Sequence, residues 1–437
     1  MKSISSKKLK GNILIPGDKS VSHRVVILSS LSIGKSKITG LLQSEDVNKT
    51  IEVMKKFGAE IKIRNNGICY VNGIGLGGIS EPRKPLDFGN SGTSARLIMG
   101  LIATHQITAI FTGDDSLSNR PMKRVLKPLE NFGSNFSLRD NNYLPAIVKG
   151  TKLPIPFKYE LNEPSAQIKS AILLGALNTP GITKVIDKFN TRDHTERLLK
   201  LYGADIKVNK KGYKKEISIH GIKDLKAVDI NVPGDPSSAI FPIIAALICK
   251  DSDITVRNIL INPSRDGVFR ILKEMGAKLD FVNHRIESGE NVYDVKVKSS
   301  KLKSTVIPRK LAPTMIDDFP VIAVAASKAK GKTIMKGLSE LRHKESDRFK
   351  GIIDLLSSSG VKVDSKKDDI IIFGNERFKS GGFTYKTNLD HRMAMSALIM
   401  GMISKKAIAI DNSDTINTSF PNFFKVMSKI GAKVMRK

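Results

Sequence analysis

The chain has no tryptophan, aromatics make up 6% of it, and it holds only two cysteines. Each scarcity excludes something. Proteins that stack bare bases interleave aromatic with basic side chains, and no such alternation runs through these 437 residues. Cys69 and Cys249 lie among apolar neighbours. Two thiols make neither a disulfide framework nor a metal cluster, so a reducing compartment is expected and no metal. No uninterrupted apolar run is long enough to span a membrane. The basic start "MKSISSKKLKGNILI" has no sustained apolar stretch of the kind signal peptides carry. Acidic residues are scarce too, 42 against 72 basic, for a formal net charge of +30. Such an excess suits anionic partners. The lysines are spread over the whole length, so much of the charge is a solvated surface. We expect a cytoplasmic protein off the membrane, with two or more domains at this length.

What is present is a repeat. The stretches "KKFGAEIKI", "ENFGSNFSL", "KLYGADIKV", "KEMGAKLDF", "SSSGVKVDS" and "SKIGAKVMR" resemble one another, with glycines at 58, 133, 203, 276, 360 and 431. Each follows an amphipathic segment, as Val47, Ile51, Met54 and Phe57 do before Gly58. Such a glycine suits the residue just past a helix C-terminus, and Ile61 and Ile63 then alternate like a strand. Pro128 interrupts the second of these helices, so that copy starts late or kinks. A second, more apolar helix is expected in every unit, beginning near "SVSHRVV", "SGTSARL", "SAQIKSA", "DPSSAIF", "IDDFPVI" and "DHRMAMS". The unit reads as strand, buried helix, strand, amphipathic helix, strands, made six times, which gives two domains of three units. "IPGDKS" and "VPGDPS" look like duplicated junctions. They are either two ordinary strand–helix turns or two crossings of the chain between domains.

The unusual polar residues gather where the buried helices begin. Lys19, Ser20 and Arg24 do so in "IPGDKSVSHR", Asn90, Gly92, Thr93 and Arg96 in "FGNSGTSARL", and Ser165, Gln167 and Lys169 in "EPSAQIKS". Asp317 and Asp318 follow, then Asp390, His391 and Arg392. One reading is a set of capped helix starts, with Ser20 or Ser22 capping the first. The other is an anion site, because free N–H groups and the positive dipole end favour negative charge and Arg can bind phosphate or carboxylate bidentately. Two more segments are dense in charge, "SNRPMKR" and "LRHKESDR". The plain reading of the latter is a solvated first helical turn.

"PGDKSVSHR", "GNSGTSARL", "NRPM", "SAQIKSA", "TRDHTERLL", "VPGDPSSAIFP", "LRHKESDR" and "DHRMAMS" occur in that order over nearly the whole chain. Together they resemble the EPSP synthase family of enolpyruvyl transferases. The resemblance implies an α/β fold, a two-domain inside-out α/β barrel of six βαβαββ units with the active site in the interdomain cleft. Residues 1–17 plus 234–437 would form one domain and residues 18–233 an inserted second one. It implies transfer of the enolpyruvyl group of phosphoenolpyruvate to the 5-hydroxyl of shikimate 3-phosphate, on the shikimate pathway to chorismate and aromatic amino acids, without a cofactor. The partners are then these small anions, not nucleic acid or membrane, and a monomer is expected.

By matching motifs, the resemblance assigns Lys19, Ser20, Arg24, Ser165, Ala166 (through its backbone), Gln167, Arg192, Asp317 and Lys344 to shikimate 3-phosphate. It assigns Lys19, Gly92, Arg120, Gln167, Arg348 and Arg392 to phosphoenolpyruvate, with Asn90 and Thr93 shaping the Gly92 loop. Asp317, Glu345 and Lys19 are the catalytic candidates. Asp317, which follows the Ile in "PTMIDDFP", takes the hydroxyl proton, and Glu345 handles the methylene proton. Family members are targets of glyphosate, which competes with phosphoenolpyruvate at the loop matching "GNSGT", and insensitive members carry Ala at the position of Gly92. Some members place a Lys just before the C-terminal "FP" turn, whereas "INTSFPNF" has none. The sister transferase that uses a UDP-amino sugar is the nearest alternative. It lacks the "DKSVSHR" pattern and typically carries a reactive Cys or Asp on a mobile loop, whereas Cys69 and Cys249 have the setting of packing residues. A basic nucleic-acid-binding protein is the alternative from another class.

Overall fold

The computed structural model describes residues 1–212, 214–375 and 381–435. The chain forms two compact units. One comprises Gly17–Val232 with Glu287–Gly289, the other Met1–Pro16, Pro233–Ile286 and Glu290–Lys437. Each holds three βαβαββ repeats. The third repeat illustrates the pattern. Strand Lys158–Glu160 runs parallel to Ile182–Asp187, which pairs antiparallel with Lys214–His220, itself antiparallel to Asp205–Lys211. Helix Ala166–Ala176 connects the parallel pair, and helix His194–Leu201 precedes the hairpin.

Three repeats borrow strands from elsewhere in the chain. The first has no strand of its own before helix Lys19–Leu31. Leu225–Lys226 and Ile230–Asn231 take that place, both parallel to Ser32–Thr39. In the other unit, Lys10–Leu14 runs parallel to Asp253–Leu260 and opens the fourth repeat. Lys2–Ser3 lies between Ile408–Ile410 and Val434–Met435, antiparallel to both, and so completes the sheet of the sixth repeat.

The apolar helices lie inside and the sheets outside. Helices Pro236–Ile248, Phe319–Lys328 and His391–Gly401 carry side chains of one continuous core. Helices Gly92–Ile102 and Ala166–Ala176 pack closely in the inserted unit. A Cβ at Gly100 would stand 2.1 Å from the Ala171 carbonyl oxygen, so only glycine permits this approach. The repeat glycines 58, 133, 203, 276, 360 and 431 all have positive φ, between 72° and 108°, as a helix-ending residue should. The second amphipathic helix is short, Lys123–Leu129 with Pro128 inside it, and tightens into a 3₁₀ turn before Gly133.

The first buried helix corrects an expectation. Its N-cap is Asp18, whose Oδ1 accepts from the Val21 N–H at 2.8 Å, not Ser20 or Ser22. Ser20 and Ser22 already lie in the first turn, and Ser22 Oγ instead accepts from the Leu42 N–H at 3.1 Å. Ser91, Ser165, Asp235 and Asp390 cap their helices through side-chain oxygens, whereas Asp318 makes no such bond. Cys69 and Cys249 are buried and free, and burial pushes their thiols up to about 11 and about 12. Burial thus disfavours the thiolate form that a nucleophile needs. Among the described residues, no helix is long and apolar enough to cross a membrane and no group of His, Cys, Asp and Glu could hold a metal ion.

Candidate active-site residues

In the inserted unit, three buried helices start with the residues singled out above. Lys19, the first residue of its helix, pairs with Asp46. Arg24 is buried, and each of its nitrogens is engaged. Nε donates to Thr195 Oγ1 at 2.7 Å, Nη1 to the Ser20 carbonyl at 2.8 Å and Nη2 to Ser170 Oγ at 2.8 Å. Arg24 thereby fixes the Ser20 backbone and ties the first helix to the third and to helix His194–Leu201. His23 is fully buried, and its Nδ1 meets Thr50 Oγ1 at 2.7 Å. Burial, with the charges of Lys19 and Arg24, holds its pKa well below the ordinary histidine value. A neutral ring can lie between two cations where an imidazolium would repel them.

Around the second helix start, Arg120 grips Asn90 twice, through Nη1 to the carbonyl at 3.2 Å and Nη2 to Oδ1 at 2.6 Å. Nη2 also donates to Ser116 Oγ at 2.9 Å. This clamps the loop that leads to Gly92. A Cβ on Gly92 would lie 3.0 Å from Arg96 Nη1 and 3.2 Å from Arg120 Nη1. Gln167 links helix starts two and three, accepting from Arg96 Nη1 at 2.8 Å and donating to Thr93 Oγ1 at 3.0 Å. Ser165 caps its helix by accepting from the Ile168 N–H at 3.3 Å. Arg192 is half-buried just before helix His194–Leu201.

The other unit gathers the carboxylates. The Arg348 guanidinium is fully buried and touches three of them: Asp390 Oδ2 at 2.7 Å, Glu345 Oε2 at 2.6 Å and Asp317 Oδ1 at 3.3 Å. Burial opposes its charge, but Asp390, Glu345 and Asp317 more than offset that and raise its pKa further. Lys344 Nζ lies 3.5 Å from the same Asp317 oxygen. Asp317 thus sits between two cations with 18% of its side chain exposed, and Glu345 has 20%. Arg392 Nη1 is 3.4 Å from the Ser237 carbonyl and 3.5 Å from Asp318 Oδ1.

"LRHKESDR" is not a first helical turn. It runs from a 3₁₀ segment, Ser339–His343, through an irregular stretch to the cap Asp347, and Arg348 opens the next helix. The bend is what turns Glu345 onto Arg348. Sequence reasoning passed over Asp390 as a partner. It looked like a helix cap, which it is, accepting from the Arg392 N–H at 2.9 Å. Its grip on Arg348 spans 42 positions, and no local pattern signals that. Asp46 and the Lys169 cluster were missed for the same reason.

Repeated βαβαββ units, with apolar helices inside and sheets outside, are the architecture of the enolpyruvyl transferase fold. The enolpyruvyl transferase NikO from Streptomyces tendae shares it at a TM-score of 0.79 over 99% of this chain and 97% of that one, with 15% identity. The chain belongs to the EPSP synthase (3-phosphoshikimate 1-carboxyvinyltransferase) family, whose signature matches residues 4–427. It is 47% identical to the 3-phosphoshikimate 1-carboxyvinyltransferase of Paramagnetospirillum magneticum over 99% of this chain and 98% of that protein. It is also 47% identical to that of Parvibaculum lavamentivorans, over 98% and 95%. EPSP synthase from Acinetobacter baumannii superimposes at a TM-score of 0.87 with 37% identity, covering 99% of this chain and 98% of the other.

Proposed function

We propose that this protein transfers the enolpyruvyl group of phosphoenolpyruvate to the 5-hydroxyl of shikimate 3-phosphate, releasing phosphate. The observation that carries the reading is the Asp317–Lys344–Arg348–Glu345 constellation. It is two partly exposed carboxylates held by cations in a family of carboxyvinyl transferases. The reaction needs a proton delivered to C3 of phosphoenolpyruvate, which makes C2 electrophilic, and a proton taken from the attacking hydroxyl. The tetrahedral adduct then loses phosphate from C2 and a proton from C3. In our assignment Asp317 accepts the hydroxyl proton, and Glu345 donates and later recovers the C3 proton. Lys19 stabilises charge developing on the leaving phosphate.

The remaining assignments are carried over from the family's motifs. Lys19, Ser20, Arg24, Ser165, the Ala166 backbone, Gln167 and Arg192 hold shikimate 3-phosphate, with Asp317 and Lys344 at its hydroxyls. Lys19, the Gly92 backbone, Arg120, Gln167, Arg348 and Arg392 take phosphoenolpyruvate. Arg24 acts chiefly by fixing Ser20, since its nitrogens are bound within the unit. Arg348 serves both as anion partner and as the post that orients Asp317 and Glu345. In this reading residues 18–233 are the inserted domain, residues 1–17 and 234–437 the other, and the enzyme works as a cytoplasmic monomer. Phosphate release from phosphoenolpyruvate, assayed with and without shikimate 3-phosphate, tests the function. Release should require the second substrate, and a protein that gives none with both present does not have this activity.

A further inference from the structure

Lys169 is the one fully buried lysine among the described residues, and the reaction just described does not use it. Its Nζ lies 2.7 Å from Glu196 Oε1 and 3.0 Å from Asp187 Oδ2, and donates to the Thr191 carbonyl at 3.3 Å. Burial opposes its charge, but Glu196 and Asp187 more than offset this and hold its pKa above the ordinary lysine value. The carboxylate of Asp187 folds the adjoining segment over itself. Oδ1 accepts from the Phe189 N–H at 2.9 Å, and Oδ2 accepts from the Thr191 N–H at 2.9 Å and Thr191 Oγ1 at 2.7 Å. Asn190, within that turn, has φ +53°, a conformation uncommon without such support. The turn ends at Arg192. One helical turn upstream of Lys169 are Ser165, Ala166 and Gln167, and the Lys169 N–H bonds the Ser165 carbonyl at 3.3 Å. Its neighbour Ser170 holds Arg24 and meets Thr195 Oγ1 at 2.6 Å.

We infer that Lys169 is a positioning residue for shikimate 3-phosphate. From inside the core it fixes the 187–192 turn, and with it Arg192, against the helix start that carries Ser165–Gln167. This inference rests on the substrate assignment above and extends it to a side chain that touches neither substrate. Its reach is selective. Of the phosphoenolpyruvate groups, Arg120, Arg348 and Arg392 have other supports, in Asn90, Asp390 and Ser237, and Gln167, shared by both substrates, is held independently by Arg96 and Thr93.

The test is steady-state kinetics on the whole enzyme with both substrates varied. Lys169→Met strands two carboxylates in the core and can unfold the unit. The double variant Lys169→Met with Glu196→Gln therefore accompanies it, since it keeps the cluster's net charge unchanged. The double variant should raise KM for shikimate 3-phosphate at least tenfold, with KM for phosphoenolpyruvate within threefold of wild type. Added to Arg192→Ala, it should cost less than threefold more, because residues acting through one another are not additive. Equal rises in both KM values, or a full tenfold penalty on top of Arg192→Ala, would overturn the inference. Calorimetric titration with shikimate 3-phosphate alone separates the two readings. A wild type that binds it but releases no phosphate refutes the proposed reaction, whereas unchanged binding by the double variant refutes the role of Lys169.

Discussion

Substituting Gly92 by alanine probes, with one methyl group, the loop proposed to hold phosphoenolpyruvate. Gly92 does not have positive φ, so alanine meets no backbone strain there. As a residue of helix Gly92–Ile102, it stands to gain up to about 1 kcal/mol of helix propensity. The added Cβ would lie 3.0 Å from Arg96 Nη1 and 3.2 Å from Arg120 Nη1. Both guanidinium ends must retreat by a few tenths of an ångström. Arg120 cannot do so freely, because its Nη2 is fixed to Asn90 Oδ1 at 2.6 Å and to Ser116 Oγ at 2.9 Å. Overpacking costs about 1–3 kcal/mol in a closed core, and movable side-chain ends place this case near the lower bound. With about 1.4 kcal/mol to a factor of ten, affinity for phosphoenolpyruvate should fall roughly fivefold. If glyphosate binds at this loop as in the family, its greater length makes it meet the methyl harder, so its inhibition constant should rise at least tenfold from a sensitive wild type. The assay is KM for phosphoenolpyruvate and Ki for glyphosate on both proteins, with urea denaturation alongside. Equal losses for the two ligands would refute the steric reasoning. So would a fall of more than about 2 kcal/mol in unfolding free energy, the scale of a core defect.

Asp317→Asn and Glu345→Gln should each reduce kcat by roughly 10²-fold or more, the scale of general acid–base groups, with unchanged circular dichroism; turnover near wild type in both would remove them from the mechanism. Arg348→Met leaves Asp390 and Glu345 without their cation, so chemical denaturation should show a loss of about 3–5 kcal/mol, and a loss below about 1 kcal/mol would contradict the buried cluster. His23 must stay neutral in the fold, so the unfolded chain binds the proton first. Stability should therefore fall as pH drops below about 6.5, a slope that His23→Gln flattens in denaturation curves at successive pH values. An identical slope in the variant would exclude His23 as its source.

The architecture was legible because the repeat advertises itself locally. The helix-ending glycines and the small polar residues at helix starts follow from backbone geometry, and all six glycines do have positive φ. The capping residue of the first helix was misjudged by a few positions, since Asp18, Ser20 and Ser22 are all competent caps and only the path of the chain into the helix selects Asp18. The charge clusters were legible as groups but not as pairs. Asp390 and Lys169 stood out as polar residues at helix starts, but their partners lie 42 and up to 27 positions away. The duplicated junctions suggested that the N-terminal segment joins the far lobe, but which strands it pairs with was hidden, because Lys2–Ser3 and Lys10–Leu14 are short and their partners distant.

Those borrowed strands bear on how the protein emerges from the ribosome. The inserted unit is closed by Ile230–Asn231 pairing with Ser32–Thr39, so nearly all its sequence is available once about half the chain has been made, and domains fold as units during synthesis. The other unit has no such option. Lys2–Ser3 is translated long before its partners Ile408–Ile410 and Val434–Met435. That strand must wait without those partners while the residues between them are made. Arrest of nascent chains at successive lengths, with protease challenge, should find the 17–232 segment resistant long before the N-terminal strand is protected. An early-made strand thus supplies a late stitch of the fold, and loss of Ile408–Ile410 and Val434–Met435 would leave Lys2–Ser3 without its sheet.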